Sequence, residues 1–92
     1  MATFKVSVKI PEECHLESLF VNYHEITDFT TTTTFEEDID TTYLVESTGI
    51  REGLDRVKLT IVINGKEQPI IFLPPNPSAS IINFSQEIIP IT

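Results

Sequence analysis

The 92-residue chain has a single cysteine, three glycines and no tryptophan. One thiol, Cys14, closes no internal disulfide, so a disulfide-stapled secreted domain is excluded. With so little glycine there is no phosphate-cradling loop, and neither a serine nucleophile elbow nor a His-Glu-x-x-His pair occurs. No apolar run approaches the roughly 20 residues of a membrane-spanning helix, and no basic-then-apolar leader precedes Thr3. The chain is therefore expected to fold in a reducing, cytoplasmic setting, away from membranes. In that setting the sequon at Asn83-Phe84-Ser85 is a chance match.

Lysine and arginine are missing altogether between Lys9 and Arg51. That stretch holds Glu12, Glu13, Glu17, Glu25, Asp28, Glu36, Glu37, Asp38, Asp40 and Glu46. From Arg51 onward, Arg51, Arg56, Lys58 and Lys66 balance Glu52, Asp55, Glu67 and Glu87; Lys5 and Lys9 bring the chain to −8. An acidic first half repels nucleic acid and anionic lipid, and attracts cations or basic proteins. Direct nucleic-acid binding is excluded on this ground.

What is abundant is Ile, Val, Phe and Thr, within an ordinary hydrophobic content of 40%. These side chains fit a pleated surface, and no long window repeats with helical period. The chain reads as all-β: one domain over residues 1–92, a small antiparallel β-sandwich of Greek-key or immunoglobulin-like type with about seven short strands. Its clearest local signal is residues 57–73, where two apolar runs flank Asn64-Gly65, a pair suited to a type I′ turn. An unbroken hairpin would place Val57, Leu59, Ile61, Ile70 and Phe72 on one face.

Other strands follow from alternation. Phe4, Val6, Val8 and Ile10 share one side of residues 3–10, and Pro11 ends that strand before a polar connection through Cys14-His15. A strand is expected over about residues 18–26. The five threonines 30–34, between Phe29 and Phe35, read as an edge strand with one wet face. Residues 36–40 form an acidic loop and 41–48 a further strand, followed by a loop in which Leu54 plugs the core. Pro74, Pro75 and Pro77 make a stiff hinge at 74–77. Beyond it, residues 78–92 carry enough apolar material to be a strand arm, added either to the chain's own sheet or to a neighbour's.

Three constellations carry candidate chemistry. Glu36, Glu37, Asp38 and Asp40 could offer oxygens to Ca²⁺, although an EF-hand spacing is missing; as solvated acids they form a surface for a basic partner. Cys14, His15 and His24 are too few and ill-spaced for zinc, and no third group orients a Cys–His nucleophile. Tyr23 and Tyr43 are the amphipathic aromatics a sugar-binding face would need. The expected function is a non-enzymatic, cofactor-free protein-interaction or assembly module, self-associating through Ile81, Ile82, Phe84, Ile88 and Ile89. Size and composition suit a component of a viral or secretion-type assembly. The alternatives are an acidic inhibitor that sequesters a basic partner or small ligand, and a Ca²⁺- or carbohydrate-binding sandwich.

Overall fold

Period-two burial marks most long strands of the computed structural model, which describes residues 1–92, and loses phase between Leu16 and Ser18. Nine strands form in order: β1 (Ala2–Lys9), β2 (Cys14–Val21), β3 (His24–Glu25), β4 (Thr33–Glu37), β5 (Tyr43–Arg51), β6 (Val57–Ile63), β7 (Lys66–Glu67), β8 (Ile71–Leu73) and β9 (Ile81–Ile88). They make two antiparallel sheets packed face to face with no helix. One sheet runs β4-β1-β6, with β7 and β8 both pairing β6; the other runs β3-β2-β5-β9. The fold is an all-β sandwich. The count exceeds the expected seven because β3, β7 and β8 are two- or three-residue segments.

The inner faces meet in two apolar clusters. Phe4, Val6, Leu19, Val21, Tyr43, Val45, Leu59 and Ile61 centre the larger; Leu16, Val57, Leu73 and Ile82 centre the smaller. Phe4 stacks on Phe35 with ring centroids 5.0 Å apart and meets the Tyr43 edge at 6.2 Å, an aromatic trio joining the sheets. Tyr43 is wholly buried, its hydroxyl has no hydrogen-bond partner, and burial raises its pKa. It belongs to the core and offers nothing to a sugar.

Asn64 and Gly65 both take positive φ, 50° and 78°, as a type I′ turn requires. The hairpin begins in the expected register, Ile63 opposite Lys66 and Val62 opposite Glu67. It then slips by one residue, so that Leu59 faces Ile71 and Val57 faces Leu73. The slip falls at Pro69-Ile70, where Pro69 has no N–H to continue the ladder. One extra residue sends every later side chain to the opposite face. Leu73 is therefore buried and Ile71 half-buried, whereas Ile70 and Phe72, expected inside, are exposed.

Four other expectations need correction. Cys14 and His15 already lie in β2, and the strand ends at Val21, because Asn22 and Tyr23 take positive φ (49° and 69°) and reverse the chain. The threonine run is mostly not a strand: the Asp28 carboxylate accepts bonds from the Thr30 N–H and hydroxyl and the Thr31 hydroxyl, holding a turn ahead of β4. Glu36 and Glu37 belong to β4, and β5 extends to Arg51. Leu54 does not plug the core; it is 91% exposed on a loop held from behind by Arg51.

Candidate functional site

A sandwich of two open sheets exposes edges, and each edge here is built differently. In a β-strand a residue's N–H and C=O point to one side and its neighbour's to the other. The Arg51 N–H donates to the Ser80 carbonyl at 2.7 Å, continuing the β5–β9 ladder in which Ile50 faces Ile81 and Tyr43 faces Ile88. Even-numbered residues of β9 thus bond β5, and Ile81, Asn83, Ser85 and Glu87 turn their backbone groups to the open side. On the far side of β5 the same alternation is visible, with the Leu44 carbonyl accepting from the Asn22 N–H at 2.6 Å.

β9 is eight residues long, has β5 as its one neighbour, and contains no proline, no bulge and one charge, Glu87. The remaining edges are blunted. β4 is five residues with Glu36 and Glu37, and its side is closed by His24, which stacks on Phe35 at 4.0 Å with Nδ1 3.8 Å from Glu37. β2 is interrupted by a register shift between Leu16 and Ser18 and is partly covered by β3. β8 is three residues long, between Pro69 and Pro74. Charge, bulges, prolines and shortness are the devices that stop an edge from recruiting another strand, and β9 has none of them along its length beyond the single Glu87.

The residues expected to form an interface divide between two roles. Ile82 is 1% exposed and sits in the smaller cluster, so it is core and not surface. Phe84 and Ile88 pack half-buried against the core. Ile81 and Ile89 are free, 68% and 77% exposed, and Ile81 lies beside the exposed Ile50 of β5. Between β9 and β8 runs a shallow groove of about 340 Å³, lined by Ile70, Ile71, Phe72, Phe84 and Ile88, with Arg56 at its side. The segment 81–88 pairs along its whole length with the chain's own β5.

Two side chains fix how β9 enters and leaves its sheet, and neither was singled out from the sequence. Arg51 is buried, and its guanidinium donates to four backbone carbonyls: Gly53 (2.8 Å), Leu54 (2.8 Å), Pro77 (2.7 Å) and Ala79 (3.2 Å). It thereby ties the loop after β5 to the proline segment just before β9. Gln68, also buried, donates from Nε2 to the Ile91 carbonyl and accepts the Ile91 N–H on Oε1, at 3.1 and 2.8 Å. A side-chain amide thus imitates a strand neighbour and straps the C-terminal residues to the other sheet. A long polar side chain within a mixed sequence carries no signal of such a role.

The acidic residues are only partly brought together. Glu37, Asp38 and Asp40 line one cleft of about 330 Å³ with Asn22, the exposed Tyr23 and Glu87; Glu36 stands apart on β4. No group of three or more His, Cys, Asp or Glu side chains is arranged to hold a metal ion. Cys14 is buried, donates to the Asp55 carbonyl at 3.4 Å, and burial raises its pKa, which makes it a poor nucleophile. His15 and His24 lie on different strands. No helix is long and apolar enough to cross a membrane. No protein-family model, curated protein or solved structure matches the chain.

Proposed function

We propose that the protein is a non-enzymatic assembly module that associates by strand addition along the open edge of β9. The observation that carries this reading is the contrast among the edges: one eight-residue strand lacks the protection given to all the others. Strand addition takes affinity from main-chain hydrogen bonds and specificity from alternate side chains. The outward backbone groups of Ile81, Asn83, Ser85 and Glu87 would supply the first. The groove beside Phe84 and Ile88 would supply the second.

Proline substitution separates assembly from folding. Ser85→Pro removes an N–H that bonds nothing within the chain, and proline is tolerated on an edge when its missing N–H faces solvent. Gln86→Pro removes an N–H that bonds β5 and should cost the fold about 1–3 kcal/mol, the penalty of a buried carbonyl left without its donor. Light scattering behind size exclusion is expected to find the wild type above its 10.4 kDa monomer mass and folded Ser85→Pro at that mass. A monomeric wild type, or an unchanged Ser85→Pro oligomer, would overturn the reading. The acidic cleft favours a different reading, capture of a basic partner, and its test is charge reversal at Asp38 and Asp40. Strand addition predicts that the oligomer survives that change.

A further inference from the structure

We infer that the strand added to β9 is the β9 of a second copy, antiparallel and in one register, with Ser85 facing Ser85 across a two-fold axis. This rests on the edge reading above and deepens it. The segment from Ile81 to Ile89, Ile-Ile-Asn-Phe-Ser-Gln-Glu-Ile-Ile, has the same apolar and polar pattern at both ends. Two isoleucines open it, two close it, and Ser85 is its midpoint.

Two-fold symmetry makes an interface self-complementary, so a strand that pairs with its own copy must match itself reversed. Centred on Ser85, the register sets Ile81 against Ile89 and Asn83 against Glu87 on the outer face. On the inner face it sets Ile82 against Ile88 and Phe84 against Gln86. Hydrogen bonding restricts the choices, because only odd-numbered residues point outward; a one-residue slip would bring an outward residue against an inward one. A two-residue shift one way places Ile81 against Glu87, and the other way Asn83 against Ile89 and Ser85 against Glu87. A four-residue shift sets Glu87 against Glu87, like charges directly opposed. Only the Ser85-centred register keeps every isoleucine on an isoleucine and the carboxylate on a neutral amide.

The surroundings agree with this pairing. Ile89 of the second copy would arrive beside Ile81 and Ile50, both exposed, and cover an apolar spot on an otherwise polar face. Beneath it, the groove floor of Ile71, Phe84 and Ile88 meets its symmetry copy. Of the acids of β4, Glu36 stands apart from β9, and Glu37 meets it only at the cleft that also holds Glu87. The product is one continuous eight-stranded sheet with two five-stranded sheets stacked below.

Cysteine scanning on the full chain tests the register, since Asn83, Ser85 and Glu87 are all exposed and tolerate replacement. Cα atoms of a directly opposed antiparallel pair lie about 5 Å apart, within reach of a disulfide. On oxidation with copper phenanthroline, Ser85→Cys alone should give a covalent dimer. Asn83→Cys and Glu87→Cys should each stay unlinked alone and link when mixed. The wild type controls for the buried Cys14. If Asn83→Cys or Glu87→Cys links by itself while Ser85→Pro still dissociates the oligomer, this register is wrong and the edge reading stands. If the Ser85→Pro oligomer persists, or the wild type is monomeric, both fail.

Discussion

β4 and β9 are the outer strands of their respective sheets, and they differ in nearly every property that governs an edge. β4 is short, acidic and closed at its side by His24; β9 is long, nearly uncharged and open. β4 feeds the larger apolar cluster through Phe35, and β9 the smaller through Ile82. The difference therefore lies in what faces outward, and outward-facing residues are where folding demands least. Three edges are protected and the eight-residue β9 is bare, which is what the proposed strand addition requires.

The largest effect expected is on the framework that aims β9. Arg51→Ala should cost about 3 kcal/mol, since four carbonyls lose a charged donor. Denaturant unfolding measures it, and a cost below about 1 kcal/mol would show that the loop carbonyls rehydrate freely and that Arg51 does not position the strand. Exchanging the character of the edges comes next. Glu36→Thr with Glu37→Thr gives β4 an uncharged edge and should produce species larger than the wild-type assembly, read by light scattering. An unchanged mass would mean that charge is not what protects β4.

The smallest effect concerns the turn that keeps the threonines from lengthening β4. Bonds from the Thr31 hydroxyl, then the Thr30 N–H and hydroxyl, hold the Asp28 carboxyl down to about 2 from 3.8. A carboxyl depressed in the folded state adds stability that is present above its unfolded pKa and is lost as pH falls through the folded one. The turn should thus be intact above pH 4 and loosen towards pH 2, with little change in global stability because Asp28 is fully exposed. A carboxyl carbon titration by NMR checks the value, and a midpoint near 3.8 would show the turn is not held by charge.

How legible these edges are in sequence follows from what alternation records. It reports which face is buried, so β1 and β6 and the inner residues Phe4, Val6, Leu59 and Ile61 follow from it directly, whereas Tyr43, an amphipathic candidate by type, is placed in the core only by the fold. It does not report a one-residue slip: Pro69-Ile70 moved Phe72 outward and Leu73 inward without altering the apolar content of the segment. Nor does it report local polar bonds such as those of Asp28, or positive φ at Asn22-Tyr23, a turn pair with no glycine to mark it. At the candidate site, the apolar character of residues 81–89 was evident, but its split between core and surface was not. Ile81 and Ile82 are neighbours of one kind, and only the pairing of Gly49 with Ile82 places one inside.

Amide hydrogen exchange along β9 tests the central claim most directly. The amides of residues 82, 84, 86 and 88 bond β5 and should be protected at every concentration. Those of 81, 83, 85 and 87 should be protected in concentrated wild-type protein, and should exchange quickly on dilution or in Asn83→Lys, which leaves the fold untouched and adds an edge charge. Fast exchange at the odd positions under all conditions, beside slow exchange at the even ones, would mean that the edge stays open and that this strand pairs with nothing.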